Sequence, residues 1–115
     1  MKLVIDRNVW LRGEGSTKSF LLRSSDEKMC CVGIFLKSLG VPEAQLCDTV
    51  VADNCSNSLI PDWTKPIAPW GDGGLPPDIS ELYVTNDYAG GSEAKREQRI
   101  ADLFAKHDVQ VEFIN

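Results

Sequence analysis

Between Met29 and Leu39 the chain leaves almost no polar face for a helix to show to water. Met29, Val32, Phe35, Leu36 and Leu39 fall on one stripe at the helical period, and Cys30, Cys31 and Ile34 widen that stripe. A helix apolar over most of its circumference belongs at the centre of a core, with the rest of the chain packed around it. Its ends carry the expected signals. Ser24 and Glu27 have capping-box spacing, and Asp26 and Glu27 oppose the positive end of the helix dipole. Leu39 is followed by Gly40 and then Pro42, which stop a helix. These signals predict a helix over residues 26–39. Gly33 inside it costs about 1 kcal/mol relative to Ala, and a close backbone crossing would account for it.

The flanking segments predict the rest of the fold. Residues 2–11 are rich in β-branched and aromatic types and predict a strand. Gly13 and Gly15 allow a reversal, and residues 19–23 predict a returning strand, giving an antiparallel hairpin. Residues 42–46 suit one helical turn led by Pro42. Residues 49–52 suit a short strand. From about residue 53 to residue 78 the chain holds every proline except Pro42, with Gly71, Gly73 and Gly74. That stretch is long for a structureless loop in a compact domain, and it carries Trp63 and Trp70. Residues 79–85 predict a strand. Ser92 suits the N-cap of a helix over residues 93–106, with Ile100, Leu103 and Phe104 on its apolar side. Residues 109–113 alternate as a strand with one dry face. Strand, helix and strand make a βαβ unit with parallel strands and a right-handed crossover. The expected fold class is therefore α+β. A mixed sheet of about four strands, built from an N-terminal antiparallel hairpin and a C-terminal βαβ unit, is packed by two helices.

With 115 residues, residues 1–115 suit a single domain with a core of its own. The formal net charge is −5, from 17 acidic and 12 basic residues. A nucleic-acid groove needs an excess of Lys and Arg on one face, and Asp6, Glu14 and Asp26 are interleaved with Arg7, Arg12, Lys18 and Arg23. Mimicry of nucleic acid by the acidic residues is the opposite possibility, but they are scattered rather than in runs. No apolar run approaches the ~20 residues of a membrane span, and residues 1–10 lack a signal-peptide core. A cytoplasmic location is expected. Cys30, Cys31, Cys47 and Cys55 show neither a disulfide framework nor zinc-ligand spacing, and His107 is the lone histidine. Free, mostly buried thiols are expected, with neither metal nor cofactor.

Three segments, GEGSTKSFLLRSSDEKMCCVGIFLKSLGVP, LYVTND and REQRIADLFAKHDVQVEFI, together resemble small uncharacterised proteins encoded by phages and prophages. The resemblance covers most of the chain outside residues 43–78 and includes no motif with known chemistry. It implies a small accessory protein made inside a bacterial cell. Proteins of that kind often bind a host protein and alter its activity.

Four places merit a functional reading. In the loop over residues 59–78, Trp63 and Trp70 could anchor a protein partner and Asp72 contribute to an acidic rim; otherwise the rings fold inward and cap the core. The turn Asn86, Asp87, Gly90, Gly91 and Ser92 lies before a helix N-terminus, where small molecules and anions bind; otherwise it is an Asx turn and a cap. Asp87 opposes a phosphate there. A cysteine nucleophile with His107 as base is a third reading, disfavoured because an apolar setting raises a thiol pKa. The edge of the terminal strand, Val109 to Phe113, could pair with a second copy in a homodimer. The leading expectation is a non-enzymatic module that binds a host protein and modulates it. The alternative is a small-molecule or anion-binding domain using the Asn86–Ser92 turn.

Overall fold

Residues at the two ends of the chain lie side by side. Strand β1, Lys2–Asp6, pairs in parallel with strand β2, Gln110–Ile114, with Lys2 opposite Gln110 and Asp6 opposite Ile114. The computed structural model describes residues 1–12, 21–48, 58–64, 76–87 and 92–115. Among them the sheet has only these two strands, with four α-helices: α1, Cys31–Ser38; α2, Glu43–Leu46; α3, Pro77–Asp87; and α4, Glu93–Ala105. Residues 62–64 add one 3₁₀ turn. The class is α+β, but the expected four-stranded mixed sheet is wrong in two places.

The first correction concerns residues 79–85, which are helix rather than strand. Strand alternation would put Glu81 beside Ile79 and Tyr83 on one face. The helical period instead collects Ile79, Leu82 and Asn86, and these are the buried residues of α3. Pro77 takes the first helical position, where its missing N–H is harmless, and Asp78 sits in the first turn. The expected βαβ unit therefore does not form. β2 forms as its alternation predicts, but its partner is β1.

The second correction concerns the hairpin. β1 stops at Asp6, where Val9 N donates to Asp6 O (3.1 Å) and Asn8 N donates to Asp6 Oδ1 (2.9 Å). Instead of an antiparallel return, Trp10 bridges Met29 and Leu22 bridges Cys47, both in parallel. The reversal at residues 13–18, the first part of the returning strand and the short strand at 49–52 lie outside the described residues.

Helix α1 begins at Cys31, later than the capping signals suggest. Those polar residues are spent on a turn. Arg23 grips Asp26 through Nε to Oδ1 (3.0 Å) and Nη2 to Oδ2 (2.5 Å), and Arg23 N donates to Lys28 O (2.8 Å). Glu27 takes a positive φ of 60°, which no helix admits. Ser24 bonds Asp48 through both its amide and its hydroxyl.

The core is built around α1 as its composition demands. Every residue from Cys31 to Leu36 is buried, so the first six residues of the helix are enclosed on all sides, while Lys37 and Ser38 reach the surface. Phe35, Leu36, Ile79, Leu82, Ile100 and Phe104 are among the fully buried side chains, each contributing roughly 1.5–3 kcal/mol of burial. The crossing expected at Gly33 is present. A Cβ there would sit 1.8 Å from Leu21 O and 2.6 Å from Leu21 C. Ser92 caps α4 by accepting from Lys95 N (3.2 Å). Pro42 precedes α2 as its N-cap.

Candidate functional site

The 3₁₀ turn at residues 62–64 holds Trp63 against the ends of two helices. The turn is closed by Thr64, whose amide and hydroxyl both donate to Pro61 O (3.0 and 2.7 Å). The Trp63 indole lies flat on the His107 ring, with centroids 3.9 Å apart and planes 4° from parallel. Phe104 stands nearly perpendicular to it, with centroids 5.9 Å apart, and Phe35 lies at 5.5 Å. His107 follows the C-terminus of α4 and meets Asp78, in the first turn of α3, through Nε2 to Oδ2 (2.9 Å). An ionised carboxylate only accepts, so Nε2 carries the proton in this pair. That hydrogen bond holds the Asp78 carboxyl below its ordinary range, partial burial opposes it, and Lys106 at 3.7 Å assists. Lys106 thus pairs with α3, and Asp102 accepts from Gln98 (2.8 Å).

Trp63 remains half-buried, so part of the ring is in the core and part reaches the surface. Four residues before it, Leu59 is 49% exposed. The sequence suggested either an anchor or a core cap, and the ring has both aspects. Trp70 and Asp72 lie outside the described residues, as do Gly90 and Gly91.

Asn86 has a different place from the one a ligand site requires. Its side chain is buried near the middle of the protein. Oδ1 accepts from the Trp10 indole Nε1 (2.7 Å) and from Cys31 N (3.0 Å). Nδ2 donates to Leu11 O (3.0 Å) and to Asp87 Oδ1 (3.0 Å). Two lone pairs and two N–H groups are all that a primary amide offers, and all four are used within the chain. Asn86 thereby joins β1's continuation, α1 and α3, and satisfies one orphan N–H at the start of α1. Ser92 is the α4 cap, and its neighbour Glu93 accepts from Arg12 (2.8 Å) and Arg96 (2.9 Å). A carboxylate of the chain itself thus stands at this helix start. Beside it Glu97 accepts a two-pronged contact from Arg7 (2.9 and 2.7 Å), which raises the Arg7 pKa. The guanidinium of Arg12 lies over Trp10 (4.6 Å) and that of Arg7 over Phe113 (5.6 Å).

The thiols follow the expected physics. Cys30 is the α1 N-cap and Cys31 the first helical residue. Burial pushes Cys30 up to about 12 and Cys31 well above its ordinary value, outweighing the backbone hydrogen bonds that favour thiolate. Cys47 is exposed. His107 faces Trp63 and Asp78, not a sulfur.

Two features carry no local signal in the sequence. The Arg7–Glu97 and Arg12–Glu93 contacts join residues far apart in the chain, though Glu93 and Glu97 sit one helical turn apart on one face. Asn86 is legible only when residues 77–87 are read as a helix, where a polar residue falls on the buried stripe. No family model matches the chain, and no curated protein or solved structure does so.

Proposed function

We propose that this chain is a non-catalytic binding module that docks a host protein of the bacterial cell through the surface around Trp63. The observation that supports this is the fixed posture of the ring. Trp63 is stacked on a histidine that is itself held by Asp78, yet it stays half-exposed. An aromatic ring already immobilised loses little entropy when a partner covers it, and such rings dominate binding energy at interfaces. The exposed Leu59, four residues before Trp63 in the chain, adds apolar area, and the chain's net charge of −5 favours a basic partner.

The alternative, an anion on the Asn86–Ser92 turn, has less support. The Asn86 amide is fully engaged, and Glu93 occupies the helix start between two arginines. The test is co-purification from host cells with wild type, Leu59→Glu and Trp63→Ala, each checked for native unfolding behaviour. The expected result is one partner band retained by wild type and lost with both variants. Equal recovery by all three chains removes the proposal. A thermal shift with phosphate or nucleotide, absent in Arg12→Met, supports the alternative instead.

A further inference from the structure

The two-stranded sheet has an edge whose chemistry is complementary to itself. The phase of its ladder follows from its ends: Gln110 N donates to Met1 O (2.8 Å), and Arg7 N donates to Ile114 O (2.9 Å). Alternate residues of β1 therefore turn their backbone groups to β2, and the amides of Lys2, Val4 and Asp6 turn to the opposite edge. No strand of the described residues lies along that edge. Lys2 and Val4 are exposed, Val4 by 43%, and with Asp6 their side chains share the outer face. Leu3 and Ile5 point into the core.

We infer that a second copy of this chain adds to the sheet along β1, antiparallel, about a two-fold axis through Val4. In that register Lys2 faces Asp6 of the second copy, Val4 faces Val4, and Asp6 faces Lys2. The amides of these residues point outward, so they take the hydrogen-bonded positions of an antiparallel ladder, with Asp6 O accepting there as well as from Val9 N (3.1 Å). The opposite charges meet directly across the strands, on both sides of the axis. On the inner face Leu3 comes opposite Ile5, so apolar meets apolar. The result is one mixed sheet in the order β2-β1-β1-β2, with an isologous contact. An exposed edge normally carries charges that repel another strand, but here the two charges of the strand attract their counterparts. Lys2 already meets Glu112 at 2.7 Å, both half-exposed, and its ammonium has donors for two carboxylates. The outer edge of β2 lacks this complementarity. A two-fold register that pairs Val111 with Phe113 sets Glu112 against its own copy.

Sedimentation equilibrium of the whole chain over a concentration series, with residue-resolved amide exchange, tests the inference. The average mass rises from monomer toward dimer. Exchange at Val4 slows by about tenfold or more as dimer forms, while Leu3 and Ile5, already bonded to β2, keep their rates. Lys2→Glu and Asp6→Lys each weaken the dimer by about tenfold or more, since two attractive pairs become repulsive. An equimolar mixture of these two chains restores it, because Glu then meets Lys and Asp meets Lys across the axis. A wild-type chain that stays monomeric at millimolar concentration overturns the inference. So does a dimer that protects Val111 and Phe113 instead of Val4, or one indifferent to the charge changes. The wild-type exchange experiment stands even where a variant fails to fold.

Discussion

Replacing Asn86 by Ala removes one small side chain and strands three buried polar groups. The Trp10 indole N–H, the Cys31 amide and the Leu11 carbonyl each lose their Asn86 partner. At about 1–3 kcal/mol per buried orphan, and with water re-entering part of the space, the loss is about 3–6 kcal/mol. A domain of this size has roughly 5–15 kcal/mol in all. Urea unfolding followed by far-ultraviolet dichroism and tryptophan fluorescence measures it. With a slope of about 1.5–2 kcal/mol/M, the midpoint falls by roughly 1.5–4 M. Asn86→Asp separates the donor half of the amide from the acceptor half. It keeps an acceptor for Trp10 and Cys31 but turns a carboxylate oxygen toward Leu11 O. Burial raises the pKa of the new carboxyl, so its penalty is present at neutral pH and is relieved as pH falls below the folded value. An Asn86→Ala chain within about 1 kcal/mol of wild type refutes the keystone role of this amide.

Other perturbations follow from single contacts. Gly33→Ala gains about 1 kcal/mol of helix propensity but drives a methyl into the Leu21 backbone, so a net loss of about 2 kcal/mol is expected in the same urea assay; an unchanged or higher midpoint means the crossing is not close. The Arg23 hydrogen bonds hold Asp26 at about 2, below its ordinary 3.8. A depressed carboxylate stabilises the fold above its unfolded value and loses that contribution as pH falls through the folded one. The Asp26→Asn difference should therefore be full at pH 5 and shrink between pH 4 and 2, read from denaturation midpoints. In a Cys55→Ser background, a disulfide-exchange reagent at pH 8 should label Cys47 at once, and Cys30 and Cys31 only at the rate of unfolding; fast labelling of three thiols contradicts their burial. Asp78→Asn removes the charge that orients His107, so the indole loses its fixed neighbour and the emission of a chain with Trp63 as its only tryptophan should change; an emission spectrum identical to that of the same chain with Asp78 argues against the stack.

What could be read in the residues was whatever depends on local spacing. Helix α4 with its Ser92 cap, the turn of α2, the alternation of β2 and the all-round burial of α1 each follow from side chains a few positions apart. Even the crossing at Gly33 was legible, because only contact explains a glycine in an otherwise apolar helix. The strand partner of β1 was not, since nothing near residue 4 refers to residue 112. Residues 79–85 misled for a local reason. Tyr83, Val84 and Thr85 favour strands, whereas Pro77 and the Ile79–Leu82–Asn86 period favour a helix, and packing decided for the period. The start of α1 misled because Ser24, Asp26 and Glu27 serve a turn as well as they serve a cap. At the candidate site Trp63 was visible as a large ring in a loop, but His107 and Asp78 beneath it belong to helix ends that only the fold brings together.

The pairing of residues 2–6 with 110–114 has a bearing on synthesis. A ribosome that has made the first hundred residues has already released β1 into the cell, with its backbone bare on both sides and its natural neighbour still unmade. Sheet formation waits for residues 110–114 to clear the exit tunnel, and until then the lone strand is available to any other chain, including a sibling on the same message.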